Sequence, residues 1–304
     1  MYLFQIFFNF ALYIIKQGMK YKVGQYAKKH NVKHVLYCLD LWPESTVVTG
    51  AVKKDSLVYK ILYRWSKKLY EGCDEILLSS QSFKDYFDNV LNLPEKETKF
   101  IPHPALLPDS VLSPISYENK YNIVYVGNIG KLQLVKELVL AMELIPNNLD
   151  LKLHLIGMGS ETNNIKNIIE EHHLENRVVY YGPKKVEEAT RYYQNADALI
   201  VSLKNEGVVG KTIPNKLTQY LYFARPILGV ISGDGKEMLE NAKGGVFADE
   251  NLNSIADSYV KICSLSDEEK KTLGESNKEY FLNNLTLEKI TYLVSLELEK
   301  HSKN

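Results

Sequence analysis

The sequence predicts an α/β protein built on parallel sheets, and three observations carry that prediction. From residue 122 onward, short apolar runs alternate with stretches of helical spacing. That is the rhythm of strands joined by helical crossovers covering both faces of a parallel sheet. Glycine turns leave successive runs, at Gly127-Asn128-Ile129-Gly130, Gly157-Met158-Gly159 and Gly182-Pro183-Lys184. The stretch from Thr212 to Leu228 reads as a loop, a short helix opened near Pro214 and a buried strand, and it follows the apolar run 198–203.

Taken in order, residues 35–39 form a short apolar run ending at Asp40, a buried strand. Helical spacing over 56–70 points Leu57, Ile61, Leu62, Trp65 and Leu69 inward, with Lys60, Arg64, Lys67 and Lys68 outward. Further strands are expected at 75–80 and 99–102. Proline and serine thicken between Pro102 and Ser116, which marks a linker. Beyond it, strands are expected at 122–127, 151–157, 178–182, 198–203, 226–231 and 245–247. Helices are expected at 134–144, 161–172, 186–194 and 213–223, and two long amphipathic helices, near 267–283 and 287–300, close the chain. The domains so drawn are 1–115, 116–285 as a ligand-binding domain, and a helical segment 286–304 returning toward the first.

At 304 residues the chain has room for two domains of ordinary size, and 45% hydrophobic with 24% charged residues is a globular composition. Net charge is zero, yet residues 1–70 carry twelve Lys/Arg against Asp40, Glu44 and Asp55, a local +9 balanced by −9 in the remainder. Such a split suits either an anionic surface, membrane or phosphate, or a solvated basic face. No nucleic-acid partner is expected. Three well-separated cysteines, Cys38, Cys73 and Cys263, offer neither metal spacing nor a disulfide framework, which favours a reducing cytoplasm. Residues 2–15 are apolar and aromatic, too short to span a bilayer, and lack the features of a cleaved leader. A helix lying in the membrane interface fits them, as does a helix packed on its own domain.

The glycine turns let backbone amides approach a diphosphate, and the helix that follows offers its positive end. Three of them at successive strand ends of one sheet point to a ligand crevice, where one alone is a chain reversal. The first, Val126-Gly127-Asn128-Ile129-Gly130-Lys131, is not the dinucleotide fingerprint. Lys216 falls in the first turn of its helix, where an ammonium group adds a point charge for a phosphate, although a surface lysine on an ordinary crossover reads the same way. Asp40 and Glu44 stand at the end of a first-domain strand. They can accept hydrogen bonds from a hydroxyl-rich ligand or act as a base, or Asp40 can simply cap the turn. Gly233-Asp234-Gly235 reads as a turn, and Asp197 as structural.

Three stretches together resemble family 4 glycosyltransferases, in particular bacterial capsule and O-antigen enzymes that use UDP-sugars. They are Cys38-Leu39-Asp40-Leu41-Trp42-Pro43-Glu44-Ser45, then Gly127-Asn128-Ile129-Gly130-Lys131-Leu132-Gln133, then Ile213-Pro214-Asn215-Lys216 through Arg225-Pro226-Ile227-Leu228. Gly157-Met158-Gly159 and Asn195-Ala196-Asp197-Ala198 fit as well, so the resemblance runs from about residue 34 to the end. It implies the GT-B fold, two Rossmann-like domains with parallel sheets facing across a cleft. The second would hold a nucleotide-sugar donor and the first would meet the acceptor, with retention of anomeric configuration and no metal. On that pattern Gly127, Asn128, Gly130 and Gln133 border the donor diphosphate, and Lys216 reaches its oxygens. Gly157, Gly159, Pro183 and Lys184 cradle the base, Gln219 lies with the donor-binding residues, and Asp40 and Glu44 face the sugar or acceptor.

Two departures accompany the resemblance. The family's paired glutamates, with seven residues between them, correspond to Lys211 and Gln219, and Ala224 stands where glycine is usual. Only about 33 residues precede the first strand, with no strand followed by a glycine-rich turn, so the first domain is expected to be incomplete, its sheet edge covered by a partner subunit, the membrane or residues 1–30. The expected function is transfer of a sugar from a UDP-sugar to a lipid-linked saccharide in surface polysaccharide assembly, on the inner leaflet of the cell membrane. The alternatives are a half-enzyme subunit needing a partner and a UDP-sugar epimerase on the same fold.

Overall fold

The computed structural model describes residues 22–48, 50–105, 107 and 112–302. The apolar segment expected at 2–15 lies outside these residues. The chain divides into two compact units, one of Met1–Pro102 with Ile290–Asn304 and one of His103–Lys289.

The first unit carries three parallel strands, β1 (Val35–Cys38), β2 (Glu75–Leu78) and β3 (Thr98–Phe100), in spatial order β1-β2-β3. All four residues of the central β2 are buried. The helix Leu57–Glu71 joins β1 to β2, opened by Ser56, whose side chain accepts from the Tyr59 amide at 3.1 Å. Its orientation corrects the sequence reading. Tyr59, Leu62, Ser66, Leu69 and Tyr70 face inward, while Leu57, Ile61 and Trp65 are exposed. The two tyrosines explain the rotation, because their hydroxyls find partners inside: Tyr59 donates to Glu44 Oε1 at 2.6 Å, and Tyr70 accepts from the Trp42 amide at 3.3 Å. From the chain's far end, the helix Leu287–Ser302 packs Ile290 against Leu77 and Ile101 and brings His301 Nε2 within 2.8 Å of the buried Glu75 carboxylate.

The second unit is a six-stranded parallel sheet of β4 (Tyr121–Val126), β5 (Leu151–Ile156), β6 (Val178–Tyr180), β7 (Ala198–Ser202), β8 (Ile227–Val230) and β9 (Gly245–Phe247). Their spatial order is β6-β5-β4-β7-β8-β9, so the winding reverses between β4 and β7. In such sheets the crevice at the reversal, outside the carboxyl ends of the strands, receives ligand. Alternate residues feed two cores. Ile123, Tyr125 and Ile200 enter one face, and Val124, Leu199 and Val201 the other.

Strand ends agree with the sequence reading to within two residues, but three helical features do not. The Gly233-Asp234-Gly235 turn is the start of a ten-residue helix, Gly233–Ala242. The helix Leu252–Ser264, which seats Ile255, Ala256, Tyr259 and Ile262 in the core, was not expected. The helix expected at 134–144 is α-helical only over Val135–Leu140 and tightens to a 3-10 turn at Ala141–Leu144. The helix Asp267–Asn284 opens with a reciprocal Ser266–Glu269 capping box. It passes so close to Ala224 that a Cβ on Gly274 would lie 2.2 Å from the Ala224 carbonyl oxygen. Ala224 itself sits at φ 52, in the left-handed region. Asp197 is structural, accepting from the Asn122 amide at 2.7 Å and pairing with Lys270 at 2.5 Å.

Candidate functional site

The loops leaving β4 and β5 interlock through backbone contacts that exclude side chains. Gly127 lies at φ 147 and Gly157 at φ 137. A Cβ on Gly157 would fall 1.8 Å from the Gly127 carbonyl oxygen, and one on Gly159 would fall 2.3 Å from that of Ile129. In place of side chains the two loops exchange hydrogen bonds: Gly127 N to Ile156 O at 2.9 Å, Ile129 N to Met158 O at 3.0 Å and Glu161 N to Ile129 O at 2.9 Å. Gly157 N reaches Gly182 O at 3.0 Å, which ties in the turn after β6. Asn128 Nδ2 donates to Gln133 Oε1 at 3.0 Å, and the two side chains close over Gly130, where an added Cβ would meet both within 2.8 Å.

Lys216 enters from the other side of the winding reversal. It occupies the first turn of the helix Asn215–Tyr222, which follows β7 and the 3-10 turn Val209–Lys211. Tyr220, one turn further on, anchors this helix to the end of β4: its hydroxyl lies 3.0 Å from both the amide nitrogen and the carbonyl oxygen of Val126. The anchoring brings Lys216 against the Gly127 bend, so that a Cβ on Gly127 would lie 2.9 Å from Nζ. The residue as a whole is half-buried but Nζ is fully buried and has no hydrogen-bond partner among the described residues. Its neighbour is the Tyr125 ring, 3.7 Å from Nζ to the ring centroid. A quadrupole face only partly replaces lost hydration, and burial lowers the ammonium pKa to about 7. A buried amine of this kind regains its charge when an anion arrives beside it.

The structure therefore brings Gly127, Asn128, Gly130, Gln133, Gly157, Gly159 and Lys216 to one edge of one sheet. Pro183 and Lys184 are exposed just past Gly182, and Gln219 is half-buried one helical turn beyond Lys216. Asp40 and Glu44 belong to the first unit, Asp40 exposed past the end of β1 and Glu44 engaged by Tyr59. Sequence reading passed over three tyrosines that fix these loops. Besides Tyr220, Tyr125 donates to the Asn128 carbonyl at 2.6 Å and Tyr180 to that of Gly157 at 2.9 Å. Their signal was position, since two lie within the last two residues of a strand that runs into a glycine turn. Among the described residues, Glu75, Glu97 and His301 bring one potential metal-ligating atom each within 4.8 Å of one another, in the first unit. The hydrogen bond between Glu75 and His301 already gives the buried carboxylate a partner. No helix among the described residues is long and apolar enough to cross a membrane.

Comparison with known proteins gives relatives for this arrangement. The chain is 26% identical over 211 residues to the probable glycosyltransferase WbjE of Pseudomonas aeruginosa, covering 66% of this chain and 51% of the relative. It is 24% identical over 177 residues to the N-acetyl-alpha-D-glucosaminyl L-malate synthase of Bacillus anthracis, covering 57% of this chain and 44% of the relative. The chain thus spans about half the length of the curated relatives it matches. Among solved structures, Anabaena HepE in complex with UDP-glucose superposes with a TM-score of 0.71 at 12% identity, over 93% of this chain and 77% of that one. That likeness shows the GT-B fold. The sequence profile of the glycosyl transferases group 1 family matches residues 113–280, more than half of the 304 residues, and the chain belongs to that family.

Proposed function

We propose that this chain is a glycosyltransferase whose second unit binds a UDP-sugar and releases UDP as the sugar is transferred. One observation carries the reading: the buried, unpartnered Lys216 ammonium against the Gly127 bend, at the winding reversal of a six-stranded parallel sheet. The loop amides and Lys216 receive the diphosphate. As the bond from the anomeric carbon to the diphosphate oxygen breaks, negative charge grows on that oxygen, and a fixed ammonium in a water-poor site stabilises it. An acceptor hydroxyl oxygen then bonds to the anomeric carbon and its proton leaves with the diphosphate. Transfer is retaining, the new bond forming on the face that the diphosphate vacates. Asp40, exposed past β1, is the first-unit group that addresses acceptor hydroxyls, with Glu44 four residues further on. The acceptor is a lipid-linked saccharide at the inner leaflet of the membrane, a reading that the +9 charge of residues 1–70 supports.

Titration calorimetry with UDP tests the donor side. Wild type binds and Lys216→Ala binds far more weakly. A wild-type protein that gives no heat with UDP ends the reading. Transfer of label from a panel of radiolabelled UDP-sugars into a membrane lipid extract tests the acceptor side. Label that remains wholly water-soluble, against measured UDP binding, rejects the lipid-linked acceptor alone.

A further inference from the structure

The helix Leu57–Glu71 presents three sectors instead of two. At about 100° per residue, one sector is the buried one already described. A second carries Lys60, Arg64 and Lys67. Between them and facing out lie Leu57, Ile61 and Trp65, spaced four residues apart, with 76%, 43% and 55% of their surfaces exposed. From Lys53 to Glu71 six basic residues stand against Asp55 and Glu71, the latter paired with Lys67 at 3.9 Å. Tyr59, Leu62 and Leu69 already seat the helix on its own unit, so among the described residues the apolar stripe serves no core.

We infer that the outward face of the helix Leu57–Glu71 docks on an anionic lipid bilayer. The inference rests on the membrane component of the proposed function and names the surface that would carry it. Charge complementarity selects the occupant. Leucine, isoleucine and tryptophan enter the boundary between headgroups and acyl chains, and long basic side chains beside them extend to lipid phosphates. Tryptophan suits that boundary because its ring is apolar and its N–H polar. A protein partner is the poorer match, since lysine is depleted where protein interfaces are driest. Each Lys or Arg near an anionic surface adds attraction that salt screens.

The test uses the full chain and sedimentation with vesicles of phosphatidylcholine, alone or mixed with phosphatidylglycerol. The mixed vesicles bind the protein and the neutral ones bind it weakly. High salt reduces binding. Leu57→Ser/Ile61→Ser lowers the partition coefficient tenfold or more, roughly the loss of two partly buried aliphatic side chains, and Lys60→Glu/Arg64→Glu does the same for the mixed vesicles. Because Trp42 is 3% exposed, a blue shift of emission on binding reports Trp65, and Trp65→Phe removes it. Equal binding to neutral vesicles, no binding to either, or unchanged binding by Leu57→Ser/Ile61→Ser overturns the inference. So does a wild-type dimer that this double variant dissociates, since a second copy then owns the stripe. UDP titration of the same variants separates the outcomes: retained UDP binding without vesicle binding sinks the surface and leaves the donor site standing.

Discussion

Replacing Lys216 with methionine should weaken the ligand complex and stabilise the free protein. In the unfolded chain the amine titrates near 10.5 and in the folded protein near 7. Between those values the unfolded state binds more protons, so stability rises with pH through this window. Below pH 7 the folded protein carries the full penalty of a buried charge, on the order of 4 to 5 kcal/mol from the separation of the two values. Above about pH 10.5 the penalty vanishes. Methionine retains most of the stem and sets a sulfur against the Tyr125 ring, a favourable contact. Chemical denaturation of Lys216→Met at pH 6.5 should therefore show a gain of several kcal/mol over wild type, shrinking as pH rises toward 10. UDP binding should fall about tenfold to hundredfold, the worth of one charge-assisted contact. Wild type near pH 7.5 should take up a fraction of a proton on binding UDP, as the amine regains its charge. That uptake appears in calorimetry as a dependence on the buffer's ionisation enthalpy, and it should be absent in the variant. A variant that is less stable than wild type at pH 6.5 and binds UDP equally well would refute the reasoning.

Four further expectations follow from single contacts. Gly157→Ala forces a Cβ to 1.8 Å from the Gly127 carbonyl at φ 137, so urea denaturation should show a loss of about 2 kcal/mol or more and UDP binding should collapse with it. Ala224→Gly relieves a left-handed alanine at φ 52, and thermal unfolding should show a gain of about 0.5 to 1 kcal/mol after the glycine entropy term is subtracted. Tyr220→Phe removes the hydroxyl that holds the Lys216 helix to Val126. It should cost about 1 to 3 kcal/mol, with UDP affinity falling in step if anchoring positions Lys216. His154 is buried between Asn122 and Tyr181, and desolvation lowers its pKa to about 4. Its unfolded state protonates first, so stability should decline by about 3 kcal/mol as pH falls from 6.5 to 4, and His154→Gln should flatten that decline.

The parallel sheet was legible because β7 and β8 are apolar at every position that both cores touch, which no helix-period stretch here imitates. The glycines of the site were legible because their neighbours leave no room for a Cβ, a demand that only glycine meets. The inward face of the helix Leu57–Glu71 was not. It carries two apolar arcs, and hydrophobicity ranks Leu57, Ile61 and Trp65 above Tyr59 and Tyr70. What decides between them is whether buried hydroxyls find partners, and those partners, Glu44 and the Trp42 amide, come from the segment after β1, outside the helix itself. The turn reading of Gly233-Asp234-Gly235 failed for a similar reason. Gly233 abuts the Lys211 carbonyl and Gly235 abuts Pro214, so both glycines answer to close approach by another loop, while the helix beyond is held by Met238 and Leu239 in the core.

The helix Leu287–Ser302 completes a core begun some 200 residues earlier, with Ile290 beside Leu77 and His301 on Glu75. During synthesis the stretch His103–Lys289 is contiguous and can close on itself as it leaves the ribosome. The unit ahead of it lacks the Ile290 cover over Leu77 and Ile101 until the helix Leu287–Ser302 has emerged. Its maturation is then timed by the emergence of residues 290–302, and nascent chains stalled before residue 290 should be cleaved by protease within residues 22–102 while the later segment resists.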